Sequence, residues 1–87
     1  MKKYKNKLKY RSWHRGTKEA DLFLGKFFDR YASKMDRKEL VLYEKFLNLI
    51  DDADLLYIVK GEKGWDPIFP DKIVNLVEEF IKSENIR

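Results

Sequence analysis

The apolar residues of this 87-residue chain recur every three or four positions and do not alternate over the length of a strand. This spacing lines one side of a helix, whereas a half-buried strand needs a period of two. Glycine and proline are few, at 4 and 2 residues, and they separate the segments. The pattern predicts helices over about residues 5–14, 18–33 and 37–50, from the turn at 51–54 to residue 60, and over about 70–83.

Residues that favour helix ends lie at the predicted boundaries. Gly16 suits the left-handed position that follows a helix, and Thr17 suits the N-cap of the next one. Asp36 and Glu39 have the spacing of a capping box. Gly25 lies inside a predicted helix, where glycine costs up to about 1 kcal/mol relative to alanine. We therefore expect a close helix crossing at Gly25.

The second predicted helix has the widest apolar face. Its main stripe consists of Ala20, Leu24, Phe27 and Tyr31, with Phe23 and Phe28 beside it. A helix with so broad a face is expected at the centre of the fold. The sequence thus predicts an all-α single domain over residues 1–87, a small bundle of about five short helices, with residues 84–87 frayed.

The residue types absent from the chain exclude several classes of protein. There is no cysteine, so a disulfide framework and a thiolate nucleophile are excluded, and the single His14 cannot form a zinc site alone. The lack of cysteine favours a reducing compartment. No apolar run approaches the roughly 20 residues of a membrane span, and no secretory leader is recognisable. We expect a cytoplasmic protein without stable membrane insertion.

The charge is distributed unevenly. The formal net charge is +4, yet eight of the 19 basic residues lie in residues 1–18, which hold no acid. The remaining segment therefore has 11 basic residues against 15 acidic ones. A basic end of this kind raises encounter rates with an acidic partner, which could be a nucleic acid, a membrane or a protein.

No motif for nucleotide, metal or nucleophilic chemistry is present. Neither common glycine-rich phosphate loop occurs. The segment Asp51–Asp54 holds three aspartates, but it lacks the glycine and the distal glutamate of a calcium loop, so we expect helix capping there. Ser12 and His14 have only Asp21 nearby as a third group. We therefore predict no catalytic residue and no metal site.

Two groups of aromatic residues allow alternative interpretations. Tyr4, Tyr10 and Trp13 lie among the N-terminal lysines, where they could stack on unpaired bases. Tyr10 and Trp13 could equally enter the core. Binding of nucleic acid is therefore the second hypothesis. Trp65 and Phe69 lie in the predicted loop, where they could contact a partner or cover the bundle; we expect the latter.

The segment 11–27 resembles the signature of a known family. It contains Arg15-Gly-x-x-Glu19, followed by Asp21-Leu22 and an apolar helix. This arrangement is similar to the hallmark of the succinate dehydrogenase assembly (flavinylation) factors, the SdhE-type family. An ordinary surface ion pair between Arg15 and Glu19 would also explain their i,i+4 spacing.

A second segment extends the resemblance over most of the chain. Residues 51–55, with Gly61 after them, look like the family's second block. Two positions depart from it, with Ala53 where proline is common and Tyr57 where tryptophan is frequent. Both departures lie on the fourth predicted helix, and the Arg-Gly-x-x-Glu signature is intact.

The resemblance implies an assembly chaperone that is not an enzyme. The family binds the flavoprotein subunit of succinate dehydrogenase, or of the related fumarate reductase, and promotes covalent attachment of FAD to a histidine of that subunit. FAD would be attached to the client, and this chain would bind no cofactor stably. We expect a monomer that does not bind nucleic acid.

The resemblance also implies a partner-binding site at the turn between the first two helices. The implied residues are Arg15, Gly16 and Glu19, with Arg11, His14 and Lys18 as neighbours. In this interpretation Arg15 and Glu19 supply charged hydrogen bonds to the client, and Gly16 allows close backbone approach.

Overall fold

The computed structural model describes residues 2–87, which form five α-helices and one short 3-10 turn and contain no strand. The helices are α1 (Lys2–Trp13), α2 (Lys18–Tyr31), α3 (Arg37–Leu49), α4 (Asp52–Val59) and α5 (Asp71–Ser83), and the 3-10 turn is Ala32–Lys34. The prediction of a small all-α bundle is confirmed. None of these helices is long and apolar enough to cross a membrane.

The largest differences from the predicted bounds occur in α1 and α4. Helix α1 begins at Lys2, three residues earlier than predicted. Helix α4 begins at Asp52, so two of the aspartates assigned to the turn belong to its first turn. Acidic side chains are favourable there because the N-terminal end of a helix carries partial positive charge.

The predicted caps of α2 and α3 are confirmed. The Thr17 hydroxyl accepts a hydrogen bond from the Ala20 N–H at 3.3 Å. The Asp36 carboxylate accepts the Glu39 N–H at 2.8 Å, and the Glu39 carboxylate accepts the Asp36 N–H at 3.0 Å. These bonds satisfy backbone donors that a helix start leaves without partners.

Helix α2 lies at the centre of the core, as predicted. The stripe Ala20, Leu24, Phe27 and Tyr31 is buried throughout. The Phe27 ring contacts Tyr31, Tyr43 and Phe80, with centroid distances of 5.0, 5.7 and 5.7 Å. Aromatic residues from α2, α3 and α5 thus meet around one ring, and such large side chains bury much apolar area for each residue of so short a chain.

Helices α1 and α2 cross closely at Gly25, as expected from the sequence. A Cβ atom at Gly25 would collide with the ring carbons of Trp13. The missing side chain therefore makes room for the indole at the C-terminal end of α1. Gly25 is tolerated inside α2 because this packing compensates for its low helix propensity.

A buried polar contact joins α1 to α3. The Ser12 hydroxyl is fully buried, 2.7 Å from the Tyr43 hydroxyl, and it donates to the Leu8 carbonyl at 2.8 Å. Burial raises the pKa of Tyr43 above its ordinary value. Ser12 is thus a structural residue whose polar group is satisfied inside the fold.

The loop after α4 covers the bundle, as predicted. The Trp65 ring packs against Phe46 and Phe69, with centroid distances of 5.9 and 5.6 Å. Its indole N–H donates to Glu78 at 2.9 Å. The aromatic side chains of this loop therefore extend the core.

The prediction that residues 84–87 fray is wrong for Arg87. Its guanidinium donates to the Ile58 and Val59 carbonyls at 2.6 and 3.3 Å and to the Glu78 carboxylate. These contacts hold the segment after α5 against the C-terminal end of α4.

Candidate partner-binding site

The predicted site lies at the turn between α1 and α2. We call residues 16–19, which are exposed to solvent, the rim. Gly16 has φ of 127°, in the region that favours glycine, which confirms its predicted positive φ. Any side chain at this position would strain the turn.

The Asp21 carboxylate holds the backbone of the turn from inside. It accepts hydrogen bonds from the backbone N–H groups of Arg15 and Gly16, the latter at 3.2 Å. The Thr17 cap lies in the sequence between these two donors and Asp21. The path from α1 to α2 is therefore set by hydrogen bonds within seven residues of chain, residues 15–21.

The Arg15 guanidinium turns inward from the rim. Its Nε donates to Asp52 Oδ1 at 3.0 Å, and its Nη1 and Nη2 donate to the Leu47 and Ile50 carbonyls at 2.9 and 2.8 Å. The Arg15 side chain is only 14% exposed. Because those carbonyls lie at the C-terminal end of α3, where partial negative charge collects, the cation is stabilised there.

Glu19 does not pair with Arg15, which forms its ion pair with Asp52 instead. Glu19 is exposed, and within residues 2–87 its carboxylate has no hydrogen-bond or ion-pair partner. The surface ion pair that the i,i+4 spacing suggested is therefore wrong. The Arg15 guanidinium and the Glu19 carboxylate do not form one charged surface.

The aspartates of the segment 51–54 have separate roles. Asp51 is the N-cap residue of α4, but its side chain makes no capping hydrogen bond. Asp52 pairs with Arg15, and Asp54 pairs with Lys63 at 2.8 Å. The predicted N-cap in this segment is thus confirmed in position, whereas capping by its side chain is wrong, and Asp52 and Asp54 form ion pairs with more distant residues. In the part of the chain that the structure describes, no cluster of metal-ligating side chains occurs.

Arg11 lies on α1 facing α3. It donates to Asn48 Oδ1 at 2.6 Å and lies 3.8 Å from Glu44. Tyr4 donates to the same Glu44 at 2.7 Å, and burial, followed by this hydrogen bond, raises the pKa of Tyr4 to about 12. Arg11 is therefore half-buried in a polar contact between helices.

An aromatic groove adjoins the rim on the α1 side. The His14 ring stacks on Tyr10 with a centroid distance of 4.2 Å, and Tyr10 is 66% exposed. The groove has a volume of about 320 Å³ and is lined by Asn6, Lys9, Tyr10, Trp13 and His14. An exposed aromatic pair beside lysines can bind an acidic or planar group by charge and stacking.

The structure thus divides the six predicted residues into two groups. Gly16, Lys18, Glu19 and His14 are exposed around the turn between α1 and α2, whereas Arg11 and Arg15 have partners inside the chain. Whether any of them contacts a partner stays a prediction. The exposed group can supply charge and a close backbone approach to a folded protein.

Sequence reasoning did not assign Asp21 and Asp52 to the site. Asp21 had a local signal, because an acid near a helix start after a glycine turn can accept backbone N–H groups. Asp52 lies in the segment 51–55 that resembles the family's second block, but nothing in the sequence links it to Arg15, which lies 37 residues away. Only the packing of α1 and α2 against the α3–α4 junction brings that pair together.

The comparisons with known proteins agree on one family. The family model described as "Flavinator of succinate dehydrogenase" matches residues 6–81, which include all five helices at least in part. The matched range contains the rim, Asp21 and Asp52. No solved structure matches the chain significantly.

Curated relatives support the same grouping. The chain is 31% identical over 80 residues to "Succinate dehydrogenase assembly factor 2, mitochondrial" of Drosophila grimshawi, covering 91% of this chain and 54% of the relative. It is 32% identical to the protein of the same name from Drosophila virilis, covering 91% of this chain and 51% of the relative. The chain spans about half the length of the curated relatives it matches.

Proposed function

The chain belongs to the flavinator of succinate dehydrogenase family, and from this premise we propose that it is an assembly factor for a flavoprotein subunit. Its client is the flavoprotein subunit of succinate dehydrogenase or of fumarate reductase. It promotes covalent attachment of FAD to that subunit. The intact Arg15-Gly16-x-x-Glu19 turn, with Lys18 and Glu19 exposed, is the observation that supports this proposal.

The proposed mechanism is selective binding of one client conformation. A ligand shifts a conformational equilibrium by the difference in its affinity for the two states. If the rim binds the client conformation in which flavin and histidine are aligned, bond formation is faster because the reacting atoms are already positioned. This chain then contributes binding and orientation, and the attachment chemistry takes place within the client.

This mechanism requires no catalytic group from the chain. The Ser12 hydroxyl is sealed in the core against Tyr43, so it is not available as a nucleophile. FAD enters as the group attached to the client, and we propose that this chain holds no cofactor stably. Dialysis of the purified chain with FAD, followed by its absorption spectrum, tests that part of the proposal.

A cytoplasmic location is also part of the proposal. It is supported by the lack of cysteine in the sequence. The names of the Drosophila relatives instead place those longer proteins in the mitochondrion. Cell fractionation followed by immunoblotting distinguishes the two compartments.

Glu19→Ala provides the main test of the function. In cells lacking the native factor, we expect this variant to leave the client with far less covalent flavin, measured by in-gel flavin fluorescence. The matched control is Glu62→Ala, which changes an exposed glutamate in the loop after α4. Because Glu19 has no partner within residues 2–87, the substitution removes only its favourable interaction with the N-terminal end of α2, so the fold should stay intact and the melting temperature should fall by no more than a few degrees. Flavin fluorescence equal to that of the wild type would contradict the proposal.

Nucleic-acid binding is the second candidate, favoured by one observation. Tyr10, on the lysine-rich helix α1, and His14, directly after that helix, form an exposed stacked pair. Binding through lysine and base stacking predicts affinity for single-stranded nucleic acid that falls steeply with salt. Fluorescence anisotropy with a labelled oligonucleotide measures it, and no binding at low salt rules this candidate out.

A further inference from the structure

We propose that Arg15 and Asp52 act on the client indirectly, as a clamp that fixes the rim to the α3–α4 junction. The inference rests on the proposed function and changes the role of Arg15 from a contact residue to a positioning residue. It also assigns a role to Asp52, which lies outside the Arg-Gly-x-x-Glu signature. The exposed rim residues then make the contact with the client.

The acceptors around Arg15 support a positioning role. Its Nε, Nη1 and Nη2 each donate to a different acceptor, and the three distances span 2.8–3.0 Å. If the guanidinium turned outward to a client, the Asp52 carboxylate and two carbonyls at the end of α3 would lose a donor. A client contact by Arg15 therefore competes with a complete set of internal hydrogen bonds.

The clamp is directly connected to the rim. The backbone N–H of Arg15 donates to Asp21, and so does that of Gly16. The first residue of the rim thus shares an acceptor with the residue whose side chain forms the clamp. A Cβ at Gly16 would lie 3.8 Å from Asp52 Oδ2, so the carboxylate lies directly beside the turn.

The geometry of the clamp requires arginine. A guanidinium has five N–H donors in a planar fork, whereas a lysine ammonium acts as a single point charge. Arg15→Lys would keep the positive charge but could not reach the three acceptors together. If positioning matters, this substitution weakens client binding even though it conserves charge.

Asp52→Ala separates positioning from direct contact. It removes the Nε acceptor and leaves both carbonyl acceptors of Arg15 in place. If Arg15 contacts the client, this change frees one of its donors and affinity is kept or increased. If Arg15 is a clamp, affinity falls. Asp54→Ala is the matched control, because Asp54 lies on the same helix and pairs with Lys63.

The experiment measures binding of the full chain to the purified flavoprotein subunit without covalent flavin, by calorimetry. All variants are compared at a temperature where circular dichroism shows each to be fully folded. We expect Asp52→Ala and Arg15→Lys each to weaken binding about tenfold, the scale of one charged hydrogen bond. Asp54→Ala should stay within about twofold of the wild type.

Amide hydrogen exchange of the free chain tests the clamp without the client. In Asp52→Ala we expect the Gly16 N–H to exchange about tenfold faster, because local opening becomes easier. If Arg15→Lys does not fold, Asp52→Ala still gives both measurements. A purely structural role for the pair would lower the melting temperature but leave the affinity of the folded variant unchanged.

The outcomes separate this inference from the proposed function. Wild-type affinity in Asp52→Ala together with weakened binding in Arg15→Lys would overturn the clamp, because Arg15 would then act by contact. Unchanged exchange at Gly16 would overturn it as well, with or without a client. If the wild-type chain does not bind the flavoprotein subunit, the proposed function fails, and the exchange measurement still decides whether the clamp exists.

Discussion

Two arginines, Arg15 and Arg87, close helix ends in the same way at different places in the molecule. Arg15 donates to carbonyls at the C-terminal end of α3 and to Asp52, whereas Arg87 donates to carbonyls at the end of α4 and to Glu78. In each case a cation lies where the helix dipole is negative, and an acid from another part of the fold completes the site.

The two regions differ in burial and in what lies beside them. The Arg15 side chain is 14% exposed and that of Arg87 is 38% exposed. Beside Arg15 the rim presents Lys18 and Glu19, which have no partner within residues 2–87, whereas Glu78 forms two bonds with Arg87. Arg87 thus only satisfies carbonyls at the end of α4. Arg15 does the same at the end of α3 and also holds the turn that carries Lys18 and Glu19.

Arg15→Ala is expected to have the largest effect on stability. It leaves a carboxylate and two carbonyls at the α3–α4 junction without a donor, which costs about 3 kcal/mol. Urea unfolding followed by circular dichroism measures the change in the free energy of unfolding. If Arg15→Ala lowered the free energy of unfolding by less than Arg87→Ala does, Arg87 would be the more important of the two arginines for stability.

Gly25→Ala is expected to follow, with a loss of about 2 kcal/mol. The added methyl collides with Trp13, which ends α1 next to the rim, so either the indole or the helix must move. Gly64→Ala is the control, because a Cβ there would meet no atom within 4 Å. Equal melting temperatures of the two variants would show that α1 adjusts without strain.

Arg87→Ala is expected to cost about 1 kcal/mol. Its bonds resemble those of Arg15, but greater exposure lets water replace them. The same urea unfolding measures it. We also expect wild-type affinity for the flavoprotein subunit, because Arg87 lies away from the rim. Weakened binding would show that the client contacts the region of Arg87 as well as the rim.

The smallest expected effect is a pH dependence of the free energy of unfolding that arises from Glu78, the partner of Arg87. Burial by itself raises the pKa of Glu78, but hydrogen bonds from Arg87 and Trp65 outweigh it and hold the pKa below its ordinary value of 4.5. Because folding lowers this pKa, the carboxylate stabilises the fold above pH 4.5, and this contribution is lost as the pH falls through the folded-state value.

This pH dependence can be isolated with Glu78→Gln. The difference in free energy of unfolding between wild type and variant should be largest near pH 7 and shrink below about pH 4.5. Urea titrations at a series of pH values measure it. A difference that stays constant down to pH 3 would show that the ion pair with Arg87 contributes nothing to stability.

The predictable parts of the fold were those with short-range causes. The periodicity of α2 predicted its buried stripe, and the Asp36–Glu39 spacing predicted a capping box that the structure contains. The start of α1 was predicted too late, because Tyr4 in its first turn is held by contacts with α3 that no local pattern reveals.

The sequence by itself determined the number and order of the helices, the glycine turn at Gly16 and the family signature around it. These depend on interactions between residues a few positions apart, which a single chain displays directly. The tertiary structure alone decided that Arg15 points to Asp52 and away from Glu19, and that Arg87 closes α4. The reason is that partners 37 and 29 residues apart meet only when burial of the aromatic core has brought their helices together.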